Sequence, residues 1–306
     1  MIKHRLIIVF LLAILVLVNV FSYYSLENFE NSNSREKTIF LIWRIKISKN
    51  NSQGGLGDKI RGAIAVHQYC KRNNINLIVD GTDDNCGMFL KNIKHPTYND
   101  KIKNNDINMY INVDYDPEKF YSEMNEKLQQ NNEVYIFTNV VPLYDIDEND
   151  KAFIQNLIEP SDKLKTDLHV ILKELPDKFG VQHFRFTDAY FSEITEEQTR
   201  VFEKCFDLLQ QTYKETDVLL TNSNNFKTYV KSRMNIRTID CEGNCNPGHI
   251  GDNSSDYESL KHSFIEFYVM TNANYIRSYT MYDWVSGFAD WASKIYDIPL
   301  ENSFIR

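Results

Sequence analysis

Runs of β-branched and aromatic residues alternate with stretches of helical periodicity along this chain. This alternation is the sequence feature that most constrains the fold class. Strands are predicted at 38–48, 75–80, 133–138, 179–182, 217–222, 236–240 and 274–278, with a weaker run at 110–113. The first helical pattern follows the glycines at 54–57 and ends at residue 72. Further helical patterns lie at 117–130, 153–158, 164–175, 195–216, 225–234, 259–271 and 284–296. Strands separated by helices in both halves predict two doubly wound α/β units.

The length of the chain and its net charge constrain the number of domains and the class of binding partner. The chain has 306 residues, which suits one large domain or two smaller ones. Its formal net charge of −8, without a basic run or stripe, argues against a nucleic-acid partner.

The N-terminus is interpreted as a targeting segment. Residues 3–5 are basic and precede an apolar run from Leu6 to Phe21, which just suffices to span a bilayer. The basic flank predicts a cytoplasmic N-terminus, hence a single-pass type II membrane protein facing the secretory lumen or its equivalent. A signal peptide cleaved near Ser22 is the alternative. We expect a cytoplasmic tip and signal-anchor at 1–24 and a polar stem at 25–36.

A glycine-rich loop, Gly54-Gly-Leu-Gly57, precedes the first predicted helix. It lacks the Lys-Ser/Thr of a Walker A loop, and Ile60 stands where a dinucleotide fingerprint needs its third glycine. Glycines before a helix let a ligand approach unpaired N–H groups closely, and Lys59 and Arg61 follow in the first turn. The loop therefore predicts a ligand site, with a tight turn selected for packing as the alternative.

The stretch from Gly180 to Asp188 holds the densest set of candidate catalytic groups. We expect the strand at 179–182 to deliver His183, Arg185 and Asp188 into the loop that follows. Ligands of open α/β sheets bind at the carboxyl ends of the strands, and an arginine there suits a phosphate pair. A surface loop with mutually paired charges is the alternative.

Cysteine spacing predicts no metal site. Cys241 and Cys245 have no second ligand pair nearby, so a local disulfide is the preferred interpretation.

Three motifs now follow one another in a fixed order: the glycine loop, His183-Phe-Arg-Phe-Thr-Asp188, and Ser286-Gly-Phe288 at the start of the last long helix. In this order they resemble the GDP-fucose-dependent fucosyltransferase superfamily, especially the core α1,6-fucosyltransferases and the nodulation fucosyltransferases. The resemblance covers roughly residues 38–304 and includes the segment from Ile158 to Leu164.

The resemblance implies a GT-B architecture, in which two Rossmann-like domains face a cleft and no catalytic metal takes part. We assign 37–176 to an N-terminal, acceptor-side domain and 177–306 to a nucleotide-sugar-binding domain. The implied activity is inverting transfer of fucose from GDP-fucose to a glycan or glycoprotein, without a further cofactor.

The resemblance also implies roles for individual residues. Arg185 would stabilise the departing diphosphate, and Glu193, five residues after Asp188, would be the general base, with Asp188 as its rival. An ion pair between Asp188 and Arg185 is expected to lower the basicity of that carboxylate. The residues expected to bind the donor are Gly54, Gly55, Gly57, Arg61, His183, Arg185, His249, Ser286, Gly287 and Phe288. For Ser286 and Gly287, an ordinary helix cap with a packing glycine is the alternative.

One residue departs from the family pattern. Phe186 stands where the family has a second arginine, so Arg185 would rely on Lys59, Arg61 or helix N-termini for further positive charge. This departure leaves open a second hypothesis, a membrane-anchored carbohydrate-binding or interaction protein that keeps the fold without turnover.

Overall fold

The computed structural model describes residues 37–43, 46–48, 51–52, 55–81, 88–93, 110–112, 115–190, 194–241 and 257–305. Two parallel β-sheets organise these residues, one in each half of the chain. The expected α/β class is therefore confirmed.

The first sheet contains four strands in the order β4-β1-β6-β5, all paired in parallel. They are β1 (Thr38–Ile42), β4 (Asn76–Asp80), β5 (Tyr110–Asn112) and β6 (Glu133–Thr138). All five residues of β1 are buried, as its sequence predicts, because Ile39 and Leu41 pack into the main core while Phe40 and Ile42 pack with Tyr135 on the other face. Two short strands, β2 (Lys46–Ser48) and β3 (Asn51–Ser52), form a separate antiparallel pair.

The second sheet has five parallel strands in the order β11-β10-β7-β8-β9. They are β7 (Gly180–Arg185), β8 (Val218–Thr221), β9 (Arg237–Thr238), β10 (Tyr275–Thr280) and β11 (Leu300–Phe304). The central strand β7 pairs with β10 through its whole length, from Gly180 opposite Tyr275 to Arg185 opposite Thr280.

Eight α-helices connect the strands within the part of the chain that the structure describes. They are α1 (Leu56–Asn73), α2 (Pro117–Gln130), α3 (Glu148–Leu157), α4 (Asp162–Glu174), α5 (Glu196–Thr212), α6 (Asn224–Lys231), α7 (Tyr257–Thr271) and α8 (Gly287–Tyr296). A 3-10 turn, Asp188–Tyr190, follows β7.

Several predicted boundaries are wrong, each for a local reason. The strand predicted at 38–48 stops at Ile42, where its pairing with β4 ends. The helix predicted at 153–158 begins already at Glu148, because the Asp147 carboxylate caps it by accepting a hydrogen bond from the Asp150 N–H. Strand β11 was not predicted, since this edge strand is largely polar.

The most consequential correction concerns β7. His183 and Arg185 lie inside the strand and not in the loop after it. The ladder with β10 holds both residues in extended conformation, so their side chains alternate with those of Phe184 and Phe186 across the sheet.

One hydrophobic core joins the two halves. It includes Ile39 and Ile60 of the first half together with Phe267 and Ile295 of the second. Polar contacts reinforce the junction: Gln155 Nε2 donates to the Ile295 carbonyl at 2.9 Å, and the Tyr268 hydroxyl donates to the carbonyl of Ile158. A second core, rich in aromatic rings, fills the space between β7, β8, α5 and α6.

The predicted membrane anchor and stem, residues 1–36, lie outside the described residues. Among the helices that are described, none is long and apolar enough to cross a membrane. The proposed boundary at 176/177 falls between α4 and β7, and thus between the two sheets.

Candidate active site

The carboxyl ends of strands from both sheets lead into the same region. Helix α1 is the first helix after β1, from which the short strands β2 and β3 separate it, and α8 follows the carboxyl end of β10. The two helices meet at their N-termini, where a Cβ atom placed on Gly57 would lie 3.0 Å from the Gly287 Cα and carbonyl carbon. Two of the three sequence motifs are therefore in direct backbone contact, although 230 positions separate Gly57 from Gly287.

The N-terminus of α1 already carries an acidic side chain. The Asp58 carboxylate accepts the Gly55 N–H at 3.0 Å and pairs with the Arg61 guanidinium at 2.6 Å. Arg61 also donates from Nε to the Asn139 carbonyl at 2.6 Å and lies 4.8 Å from the centre of the Tyr115 ring. Arg61 is thus held within the first half, and a phosphate would have to compete with Asp58 for it.

Lys59, the other cation of this turn, is buried. Its Nζ lies 5.9 Å from the centre of the Trp43 ring, a distance compatible with a cation–π interaction. Lys59 therefore points toward the end of the first sheet, which its position in the sequence did not reveal.

At the N-terminus of α8, Ser286 occupies the cap position, but its hydroxyl makes no capping hydrogen bond. An ordinary serine cap therefore does not account for this residue. Phe288 packs edge-on against Phe267 of α7, with ring centres 5.5 Å apart. The aromatic ring of this motif thus serves the junction of α8 with α7, and only its backbone faces the start of the helix.

His183 is buried at the carboxyl end of β7. Its Nδ1 lies 3.2 Å from the Ser278 Oγ of β10, within hydrogen-bonding distance. Burial and the nearby Arg185 cation lower the pKa of His183 to about 4, and the Glu266 carboxylate only partly opposes them. His183 is therefore neutral at pH 7 and suits hydrogen bonding and positioning rather than proton uptake.

Arg185 ends β7 with its side chain partly exposed. Its Cζ lies 5.5 Å from the centre of the Tyr282 ring, and its carbonyl accepts the Met281 N–H at 3.1 Å. Both contacts come from the loop between β10 and α8, the loop that ends at Ser286. Arg185 therefore belongs to the same region as the Gly57–Gly287 contact.

Phe186 explains how the chain accommodates the missing second arginine. Its side chain is fully buried among Phe184, Phe202 and Phe226. The Asn222 side chain clamps its backbone, accepting the Phe186 N–H and donating to its carbonyl, both at 2.8 Å. The Phe186 side chain thus belongs to the aromatic core and lies on the opposite face of the sheet from His183 and Arg185.

A buried cluster of charged residues lies beside His183, and the sequence patterns did not predict it. It comprises Glu266 and His262 of α7 and Lys227 of α6. Glu266 Oε1 lies 3.1 Å from His262 Nε2 and 3.7 Å from Lys227 Nζ, while Lys227 donates to the Ile239 carbonyl at 2.8 Å. The signal in the sequence was the His–Glu pair at i, i+4, set among the apolar residues 264, 265 and 267–270.

The carboxylate of this cluster retains hydrogen-bonding capacity. Glu266 Oε1 and His262 Nε2 form an ion pair at 3.1 Å, but neither atom has a well-aligned hydrogen-bond partner among the described residues. Burial opposes ionisation of Glu266, but His262 and Lys227 outweigh this and lower its pKa. Glu266 is therefore a buried anion with an acceptor atom to offer.

The remaining predicted site residues cannot be placed. Gly54, Glu193 and His249 lie outside the described residues, and for Asp188 only the backbone is described, at the start of the 3-10 turn. Their roles stay predictions. Cys241 is disulfide-bonded, but its partner lies outside the described residues, so the local pairing with Cys245 stays a prediction; Cys70 and Cys205 are buried free thiols.

Solved structures resemble this one across most of the chain. No protein-family model and no curated protein matches the sequence. The NodZ α1,6-fucosyltransferase soaked with GDP-fucose superposes with a TM-score of 0.52 and 13% identity, over 85% of this chain and 93% of that one. NodZ from Bradyrhizobium gives 0.53 and 12%, over 85% and 92%.

A plant structure extends the comparison. An arginine-to-lysine variant of Arabidopsis thaliana FUT1, in complex with GDP, gives a TM-score of 0.54 at 12% identity, over 89% of this chain and 71% of that one. At such identities the likeness concerns the fold. The chain therefore has the fold of the GDP-fucose-dependent fucosyltransferases, as the three motifs led us to expect.

Proposed function

We propose that this protein is an inverting, metal-independent glycosyltransferase that transfers fucose from GDP-fucose to a glycan or glycoprotein. The observation that carries the proposal is the backbone contact between Gly57 and Gly287. It joins the N-termini of two helices, one from each half, and the loop that leads into the second helix contacts Arg185 at the end of β7. Helix N-termini and an arginine fork together suit a diphosphate.

The proposed reaction is a single displacement at C1 of the sugar. The acceptor hydroxyl oxygen attacks C1 of the sugar while the bond from C1 to the diphosphate oxygen breaks, and GDP leaves with the bonding electron pair. Arg185 would stabilise the negative charge that develops on the diphosphate. The hydroxyl proton passes to a carboxylate on the opposite face of the sugar, for which Glu193 is our candidate and Asp188 the rival.

We propose that the buried side chains of His183 and Glu266 bind the guanine base of the donor. The guanine edge carries two adjacent N–H donors, and a carboxylate is their complementary acceptor. The Glu266 acceptor atom, with neutral His183 beside it, supports a base subsite at this position. Lys227 and His262 would keep Glu266 ionised and correctly oriented.

A second candidate function is carbohydrate binding without turnover. One observation favours it: Phe186 lies in the aromatic core, so no cation at this position can supplement Arg185. Loss of one hydrogen-bond donor to the leaving group reduces the turnover rate by on the order of 10²-fold. A slow enzyme and an inactive relative therefore both fit, and turnover is the measurement that separates them.

The test combines donor binding with turnover. The purified chain should be thermally stabilised by GDP and GDP-fucose more than by uridine sugar nucleotides, by about 2.7 kcal/mol at 100 times the dissociation constant. Mixed glycoprotein acceptors should then accelerate the release of GDP from GDP-fucose. Stabilisation without release would favour the binding protein, and no stabilisation by guanine nucleotides would refute the proposal.

Metal independence forms part of the proposal, because Arg185 and the two helix N-termini would supply the positive charge that a metal ion otherwise provides. Transfer should persist in EDTA. Activity lost on chelation and restored by manganese or magnesium would contradict this part.

We also propose a type II topology, on the evidence of the basic residues before the apolar run at 6–21. Protease added outside sealed vesicles should spare the C-terminal domain. Its digestion would refute the orientation, and a mature N-terminus near Tyr23 would refute the anchor.

A further inference from the structure

The loop between β10 and α8 carries two aromatic rings that stack on each other. The centres of the Tyr282 and Trp284 rings lie 4.9 Å apart, with their planes at 30°. The Tyr282 N–H donates to the Thr280 Oγ1 at 3.1 Å, which ties the start of the loop to the end of β10. The ring pair therefore rests on a fixed base.

Trp284 is the most exposed of the large apolar side chains that the structure describes, with 63% of its surface accessible. Burying such a ring would contribute favourably, so its exposure has a cost unless a ligand covers it. Its stacking on Tyr282 also means that the two rings form one continuous surface and not two scattered residues.

This surface borders the proposed reaction centre. The Tyr282 ring centre lies 5.5 Å from the Arg185 Cζ, so guanidinium, phenol and indole follow one another from the strand end toward solvent. The same loop continues into Ser286 and Gly287. A molecule lying on Trp284 and Tyr282 would thus have one end beside the diphosphate that Arg185 is proposed to hold.

We propose that Tyr282 and Trp284 form the stacking platform for the acceptor sugar, a pyranose ring next to the hydroxyl that is fucosylated. This inference rests on the proposed function. The face of a pyranose exposes C–H groups that pack against an aromatic ring, while its hydroxyls point sideways toward polar groups. Asp283 lies between the two aromatic residues in the sequence and is exposed, so its carboxylate is free of burial and would serve as an acceptor for such hydroxyls.

The nucleobase of the donor is the competing occupant, and the structure favours the sugar. A guanine buried on binding needs partners for its polar edge. Those partners lie in the buried cluster of His183, Glu266 and Lys227, behind Arg185, whereas the ring pair extends from Arg185 to solvent. An acceptor chain must continue outward from the site, which an exposed platform allows.

Tryptophan fluorescence provides a direct test. The chain has three tryptophans, and the other two, Trp43 and Trp291, are only 1% and 5% exposed. Quenching by acrylamide therefore reports mainly on Trp284. Lactose, cellobiose and N,N′-diacetylchitobiose serve as probes, and at least one of them should protect Trp284 from quenching in the presence of GDP.

Substitutions at Trp284 and at a control position test whether the disaccharide binds to this ring. Saturation-transfer NMR on the protecting disaccharide should show roughly tenfold weaker binding to Trp284→Ala, with binding largely restored in Trp284→Tyr. Phe304→Ala removes another exposed aromatic ring, 46% accessible, at the end of β11 and should leave disaccharide binding unchanged. GDP affinity should be the same in all of these variants.

The outcomes separate this inference from the proposed function. Protection by none of the three disaccharides, or unchanged disaccharide binding in Trp284→Ala, would overturn the platform while GDP binding still supported the enzyme. A loss of GDP affinity in Trp284→Ala would assign the platform to the nucleobase instead. Failure of the wild-type chain to bind GDP would refute the proposed function itself.

Discussion

Gly57 and Gly287 contact each other through their backbones, and a side chain at Gly57 would press directly on the backbone of Gly287. A Cβ atom on Gly57 would lie 3.0 Å from two Gly287 backbone atoms, and one on Gly287 would lie 3.4 Å from the Gly57 Cα. Because the neighbouring atoms are backbone, relief of the 3.0 Å contact at Gly57 requires one helix terminus to move by a few tenths of an ångström, whereas the 3.4 Å contact at Gly287 is an ordinary van der Waals distance. The contact thus fixes the spacing of two helix N-termini.

Gly57→Val should separate these N-termini and weaken GDP binding at least about tenfold, since such overpacking strains a structure by about 1–3 kcal/mol. Calorimetric titration with GDP measures the affinity, and urea unfolding measures the stability.

Gly62→Ala is the matched control for this variant. A Cβ at Gly62 would lie 2.0 Å from the Thr138 carbonyl oxygen, inside the first half and away from Gly287. It should lower the free energy of unfolding without a comparable effect on GDP affinity in the fraction that remains folded. Equal GDP affinity in Gly57→Val and the wild type would contradict the assignment.

Arg185→Ala should weaken GDP binding and slow turnover together, the latter by about 10²–10³-fold, because the lost guanidinium stabilises charge on the leaving group. Arg185→Lys should recover only part of the activity, since an ammonium cannot reproduce the planar fork. Steady-state kinetics and GDP titration provide the two readouts.

Arg233→Ala controls for the loss of a positive charge. Arg233 is exposed and bonds locally to the Tyr229 carbonyl, so its removal should change neither GDP affinity nor turnover. Equal effects of the two alanine variants would indicate a general electrostatic role instead of a phosphate contact.

Glu193→Gln should reduce turnover by about 10²–10⁴-fold and leave GDP affinity almost intact, because a general base acts on the acceptor hydroxyl. Asp188→Asn is the comparison, since Asp188 is the rival candidate. A folded Asp188→Asn protein without turnover, beside a fully active Glu193→Gln protein, would reverse the assignment.

Acid should destabilise the protein through His183. Its pKa lies at about 4 in the folded state, mainly because of burial, below the ordinary 6.5 of a histidine. The unfolded chain therefore binds the proton more readily, and the stabilisation is complete above pH 6.5 and lost as the pH falls toward 4. The loss amounts to roughly 3 kcal/mol by order of magnitude.

His183→Asn should flatten this pH dependence of the free energy of unfolding, measured by urea titration between pH 4 and 6.5. Glu266 and Arg185 are the charges that act on the imidazole, and both remain in the variant, so the difference from the wild type isolates the contribution of His183. His169→Asn, a change at an exposed position of α4, should leave the slope unaltered. A slope equal to that of the wild type in His183→Asn would exclude His183 as the source.

Local patterns in the sequence were sufficient for the fold class and for three motifs of the site. Branched and aromatic runs predict buried strands such as β1 and β6, because a strand covered on both faces needs apolar side chains throughout. The glycines at 57 and 287 marked helix starts, and the resemblance of the three motifs to the fucosyltransferases agrees with the observed fold.

Tertiary structure alone decided which of these residues meet. Pairing with β10 keeps His183 and Arg185 in strand β7 and directs Phe186 into the aromatic core, and no local pattern encodes the register between two distant parallel strands. The burial of Lys59 against Trp43 and the ion cluster around Glu266 depend likewise on contacts between separate elements. Local sequence specifies conformation, whereas proximity depends on how the elements pack, and Gly57 meets Gly287 only because the two halves share one core.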